Sequence, residues 1–383
     1  IGVRLVGSEM CIRDSQKRVH VKNDNTYIQK SLPIYLNFST EPNGQNYTLN
    51  SKVSKDYTNP MYLDTEGINY IRSKWAVDKN TKKTVSPQQE ILYEIYADGL
   101  APKTISVFKN APKYISNKNY YGKGLVVDLN AKDYGSGLEN IHFRLNSEGF
   151  KVYSSSLVMD KEGTAELYYY SSDNVGNSER IKSKNFVVDL SSPTSSHSIN
   201  GIVYQETILS PKSSFKLLSV DNLSGVKNTF YLFDGADKSY YATNIKLYNL
   251  NDGDHVLKYW SNDNVKNSEK ENAKTFSFYL DKIPPVSKMD VVGDFFKGKY
   301  NYVSERTEFK ITSTDNKAGV KNIYYRTNGK EKSTYSGNFK LPNKQGIYSI
   351  KYNAVDNVEN ISKNYFKTLF LDNTAPETWI KYG

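Results

Sequence analysis

Short runs of alternating apolar and polar residues dominate the chain. Leu167, Tyr169 and Ser171 stand two apart before Asp173; Leu257, Tyr259 and Ser261 stand so before Asp263, and Ile350, Tyr352 and Ala354 before Asp356. Period two puts an aliphatic residue, a tyrosine and a small residue on one face of a half-buried strand. A glycine ten residues before each Asp (Gly163, Gly253, Gly346) marks the turn that opens the strand. Turn formers follow the Asp, then a second alternating stretch (Lys184 to Val188, Thr275 to Leu280), so the pair predicts a hairpin. Further runs at 141–145, 229–233 and 323–327 predict strands, and Asp234-Gly235 and Asn328-Gly329 supply hairpin turns. Leu125 to Leu129 and Phe215 to Ser219 add another strand each. Nothing has helical period.

Three landmarks recur in fixed order. Asp173-Asn-Val-Gly-Asn177, Asp263-Asn-Val-Lys-Asn267 and Asp356-Asn-Val-Glu-Asn360 begin 90 and 93 residues apart, with a weaker copy at Asp78-Lys-Asn80. Each is preceded by Asp133-Tyr-Gly-Ser-Gly137, Asp221-Asn-Leu-Ser-Gly225 or Asp315-Asn-Lys-Ala-Gly319. The third landmark is an Asp four residues before a Pro: Asp98 and Pro102, Asp189 and Pro193, Asp281 and Pro285, Asp372 and Pro376. Solenoid repeats run about 20–50 residues, so a period near 90 predicts a string of small domains. About seven strands in each predicts an all-β chain of tandem immunoglobulin-like sandwiches. With no cysteine pair and small residues inward on the penultimate strand, they are expected to be fibronectin-III-like. The modules are expected at 16–102, 103–193, 194–285 and 286–376, with 377–383 starting another. The first is degenerate: Glu41-Pro-Asn-Gly44 replaces the Asp-x-x-Ser-Gly loop and its Trp75 strand is out of phase. In the Asn-Val hairpin, Lys266 and Glu359 replace Gly176, so that turn is not expected to need a positive φ.

Composition changes this picture little. Tyrosine is abundant, 32 of 383 residues, and suits strands with one wet face. No apolar run approaches the ~18 residues of a membrane helix. The net charge of +10 is spread singly, without the clustered stripe of a nucleic-acid surface, so no nucleic-acid partner is expected. Cys11 is the sole cysteine, which rules out an intrachain disulfide. Leu5 to Ser15 resembles a translated sequencing adapter, so residues 1–15 are set aside as non-native. The chain is thus expected to be a fragment whose leader is not observable.

The D-x-x-S-G loop, the D-N-V hairpin and the D-to-P spacing resemble tandem bacterial Ig-like surface repeats. They are of the type filed as the spirochaete outer-membrane "OmpL-type β-barrel" repeat. The resemblance covers residues 103–376 well and 16–102 weakly. It implies a secreted or cell-surface protein. Despite the family's name, the strands show no lipid-facing apolar band, so sandwiches are expected.

Catalytic chemistry is sparse. The four histidines, His20, His142, His197 and His255, accompany no nucleophile signature, and no Gly-x-Ser-x-Gly or phosphate loop is present. No enzyme activity and no cofactor are expected within the fragment. The aspartates are read first as turn chemistry, bonding N–H groups of their own loops. The alternative is Ca²⁺. In an immunoglobulin topology the two Asp loops face the end of the previous module's last strand. Asp98, Asp133 and Asp173 should then gather, as should Asp189, Asp221 and Asp263, and Asp281, Asp315 and Asp356. Hard carboxylate oxygens suit Ca²⁺. The turn reading expects identical melting in EDTA and in calcium; the metal reading expects a rise.

The function expected is a structural or adhesive stalk segment that contacts a host or cell-envelope protein or glycan. The alternatives are accessory spacer or glycan-binding modules of a larger secreted hydrolase, with sugars stacking on an outward Tyr or Trp260, and a Ca²⁺-rigidified adhesin rod.

Overall fold

The computed structural model describes residues 91–383 without a break. Before them it describes residues 2–5, 19–34, 36–39, 46–47, 61–72, 76–77, 81 and 84–85. Cys11, Glu41 to Gly44, Trp75 and the Asp78 copy lie outside the described residues. Gly2–Leu5, within the stretch set aside above, pairs antiparallel with Leu36–Ser39. The chain forms two compact units, Ile1–Ser191 and Ser192–Gly383.

In the first unit, the strands between Lys103 and Val188 divide into two sheets. The smaller runs Lys103–Lys109, Val126–Lys132, Leu157–Val158. The larger has six strands in the order Lys113–Ile115, Asn119–Tyr121, Lys182–Val188, Gly163–Asp173, Leu138–Leu145, Lys151–Val152. All pairs are antiparallel except Asn119–Tyr121 with Lys182–Val188. The second unit repeats this arrangement, with sheets of three and six strands between Thr194 and Leu280, then two and six between Val286 and Leu371. The fold is therefore all-β, with a lone 3₁₀ turn at Lys270–Asn272 among the described residues.

The strand number exceeds the seven expected, because the opening strand does not stay on one sheet. After Lys103–Lys109 the chain crosses over and adds a short hairpin to the larger sheet. Its second arm makes the parallel pair. The early part of the first unit keeps that signature: Asn25–Gln29 runs parallel to Ile91–Asp98 in a four-stranded sheet over a small core of Ile28, Ile34 and Ile95.

The period-two pattern is explained by burial. Along Gly163–Asp173, Leu167, Tyr169, Ser171 and Asp173 all face inward, as do Leu257, Tyr259, Ser261 and Asp263, then Ile350, Tyr352, Ala354 and Asp356. Each core is thin, with Phe186, Phe215 or Phe309 fully buried in it. Fully burying such a side chain stabilises by about 1.5–3 kcal/mol. The inner serines are satisfied rather than merely small. Ser261 Oγ lies 2.9, 2.7 and 2.8 Å from the hydroxyls of Ser195, Ser219 and Thr229. Thr104 Oγ1 donates to Ser171 Oγ at 2.8 Å.

Candidate functional site

Each Asp-x-x-Ser-Gly loop, or Asp-x-x-Ala-Gly loop in the last repeat, closes on its own aspartate. Asp133 Oδ2 accepts the N–H groups of Gly135 (2.9 Å) and Gly137 (2.8 Å), and Asp315 Oδ2 those of Lys317 (3.1 Å) and Gly319 (2.8 Å). The loop then turns through a positive φ, +93° at Gly137 and +74° at Gly319, which glycine adopts without steric cost. The Asn-Val hairpin is built the same way. Asp173 Oδ1 accepts from Val175 N (3.1 Å) and Asn177 N (2.7 Å), while its Oδ2 accepts from Asn177 Nδ2 (2.7 Å). Asp356 makes the same three bonds with Val358 and Asn360. One residue departs from expectation: Lys266 and Glu359 hold φ of +70° and +68°, beside +96° at Gly176. The turn geometry belongs to the hairpin, and a non-glycine residue there bears its strain. Asn174 and Asn357 tie the two loops together by donating to the carbonyls of Ser136 and Gly137, and of Ala318 and Gly319.

The strand-ending aspartates do not simply cap their own loops. Asp98 Oδ2 accepts from Ser136 N at 2.7 Å, in the repeat that follows it. Its main-chain oxygen accepts from Asn177 Nδ2 at 3.0 Å. In the second unit Asp281 Oδ2 accepts from Ala318 N (2.9 Å) and its main-chain oxygen from Asn360 Nδ2 (2.9 Å). The same stitch therefore occurs once within each compact unit. The side chains of Asn177 and Asn360 carry half of it, a role the sequence reading missed although each stands four residues after its Asp.

These stitches bring carboxylates together. Asp98, Asp133 and Asp173 present oxygens within 4.8 Å of one another, and so do Asp281, Asp315 and Asp356. Of the remaining set, Asp189 is buried at the end of the first unit, where its N–H donates to Tyr121 O (2.9 Å). Asp221 and Asp263 belong to the second unit, where they close their own loops on Gly225 N (2.7 Å) and Asn267 N (2.8 Å). Burial pushes the Asp281 carboxyl up to about 6; the N–H bonds from Ala318 and Ile283 oppose this, and the charges of Asp315 and Asp356 add to it. Burial likewise raises Asp173 and Asp356. No lysine, arginine or histidine among the described residues is paired with the first or third triad. Asp315 Oδ1 is buried without a hydrogen-bond partner, as is the hydroxyl of Ser136, which is fully buried. Three oxygens of this kind are the hard donors a divalent cation takes.

Three of the four histidines are in structural settings. His142 stacks on Tyr170 at 4.8 Å, His197 Nδ1 lies 2.9 Å from Tyr259 Oη, and His255 bonds Asp234. Trp260 is 4% exposed and stacked on Phe230, so it offers no face to a sugar.

These sheets and loops define an all-β chain of repeated two-sheet sandwiches. Among solved structures, fibronectin(III)-like modules of Clostridium thermocellum CbhA match at 13% identity, covering 49% of this chain and 100% of that one, with a TM-score of 0.28. A structure from a 1.5-MDa bacterial ice-binding adhesin matches at 12% identity, covering 65% of this chain and 90% of that one, with a TM-score of 0.31. No protein-family model and no curated protein matches the chain. Among the described residues no helix is long and apolar enough to cross a membrane.

Proposed function

We propose that the chain is a non-catalytic structural or adhesive segment of a bacterial cell-surface or secreted protein. Its sandwiches act in series, and its partners are a host or cell-envelope protein or glycan. The observation that supports this reading most strongly is the repeated stitch. Hydrogen bonds at Asp98 and Asp281 join one repeat to the loops of the next. They bond backbone to side chain instead of opening onto a substrate cleft. Protease added to intact cells of the bacterium that makes the protein should degrade it while a cytosolic marker survives. Equal protection of both would contradict a surface location, provided the protein is absent from the medium.

A second reading concerns the triads. Three carboxylates within 4.8 Å, without a paired basic residue among the described residues, repel one another. The orphaned Asp315 Oδ1 lacks the donor that turn chemistry would give it. Ca²⁺ held by Asp281, Asp315 and Asp356, and by Asp98, Asp133 and Asp173, would supply the missing charge and stiffen each joint.

A further inference from the structure

We propose that the outer face of the last repeat's six-stranded sheet binds an acidic polysaccharide, one whose sugars carry carboxylate or sulfate groups. In the strands Val320–Thr327 and Gly346–Asp356, the inner face is filled by Ile323, Tyr325, Ile350 and Tyr352. The alternate residues Tyr324, Arg326, Lys351 and Asn353 stand on the outer face. There Arg326 is directly opposite Lys351, and Tyr324 opposite Asn353. Like charges facing each other across a strand pair are destabilising. The other repeats avoid this at the same register: Arg144 faces Tyr168, with the guanidinium 4.1 Å from the ring centroid, and Lys258 faces Leu232.

A concavity of about 200 Å³ lies over this pair, and its lining includes Tyr324, Arg326, Lys332, Lys351, Asn353 and Asn364 beside Tyr325. No carboxylate lines it, and none of its three cations is in an ion pair among the described residues. Lys332 Nζ sits 3.4 Å above the Tyr324 ring, and Lys351 Nζ lies 5.5 Å from the ring of Phe366. Phe366, the cross-strand neighbour of Lys351, is 64% exposed.

The chemistry on offer is specific. Arg326 presents a planar fork that matches a carboxylate or sulfate, and the two lysines add point charges. The amides of Asn353 and Asn364 can both donate to and accept from hydroxyls. The open ring of Phe366 suits the apolar face of a pyranose. A nucleic acid is matched better by a basic groove with successive stacking platforms; here one concavity pairs cations with amides. The proposal is separable from the stalk reading, since a chain of serial sandwiches that binds no acidic sugar loses only this site.

The test is titration calorimetry on the full chain at low salt. Tetragalacturonate and a heparin tetrasaccharide serve as acidic probes, with maltotetraose, a glutamate octapeptide and an oligothymidine as controls. At least one acidic tetrasaccharide should bind one-to-one, the galacturonate arm identifying carboxylate recognition and the heparin arm sulfate recognition. Arg326→Gln with Lys351→Gln should weaken it at least tenfold while melting no lower than the parent, because a repulsive pair is removed. Lys216→Gln with Lys310→Gln, which alters exposed lysines elsewhere, should leave binding unchanged. The proposal is overturned if neither acidic sugar binds or if the Arg326/Lys351 variant binds undiminished. It is equally overturned if the peptide or the oligothymidine binds these residues as tightly as the sugar, since the face would then be a general anion exchanger.

Discussion

His255 has an acceptor at each ring nitrogen: Asp234 Oδ2 lies 2.7 Å from Nδ1 and the carbonyl of Asn251 3.0 Å from Nε2. A neutral imidazole carries one proton and satisfies one of them; the imidazolium satisfies both. Burial opposes that charge, yet the two acceptors and the Asp234 charge raise His255 above its ordinary 6.5. Burial also works against the Asp234 charge, but the bonds from His255 and Val256 N hold that carboxyl below its ordinary 3.8. The signs follow. The His255 contribution to stability is fully present below pH 6.5 and is lost as pH rises through the folded-state value. The Asp234 contribution is present above pH 3.8 and is lost as pH falls through its depressed value. The amide of Val256, which donates to Asp234 Oδ1 at 2.7 Å, reports the pair locally. Its hydrogen-exchange protection factor should fall as pH rises above 6.5 through the raised His255 value, and His255→Gln should flatten that fall; a pH-independent factor in the parent would contradict the account. Nothing in the sequence pointed to this pair. The two residues lie 21 apart and meet only because Asp234 begins a turn whose strand pairs beside His255. Ser261 was legible as small and inward, but not as the centre of a hydroxyl cluster whose members come from four strands.

At the scale of the element, the repeated loops were largely legible, because turn chemistry is local. An Asp followed by a Gly four residues on fixes a loop, and three copies fix its importance to the fold. The grouping of Asp98, Asp133 and Asp173 was also legible, once an immunoglobulin topology placed two loops beside the end of the preceding strand. What stayed hidden was positive φ at Lys266 and Glu359, since a residue type reports what a turn prefers and not what the surrounding ladder imposes. Calcium bears directly on these loops. If the triads hold Ca²⁺, an ion at a hundred times its dissociation constant adds about 2.7 kcal/mol to the state that binds it. For a sandwich of this size that is a rise of roughly ten degrees or more in melting temperature. Millimolar CaCl₂ should produce such a rise over EDTA, and Asp133→Asn combined with Asp315→Asn should reduce it. Superimposable melts would return the aspartates to turn chemistry alone.

Across the whole molecule, the ~90-residue period was the feature most plainly written in the chain, and its three strong copies each coincide with a small core between two sheets. The extra strands were not written there. Lys113–Ile115 and Asn119–Tyr121 are three residues each, too short for a period-two pattern to stand out. On this account the sandwiches are separate cooperative units joined in series, each with its own core, although Ile208 of one repeat also packs on Ala318 and Val358 of the next in a small apolar contact. Stretching the full chain between its termini in a force spectrometer tests it most directly. The account predicts successive unfolding events, at least three of them, each releasing about 300 Å of contour for about 90 residues at ~3.5 Å apiece. A single event releasing most of the chain at once, or a smooth extension without discrete events, would contradict it.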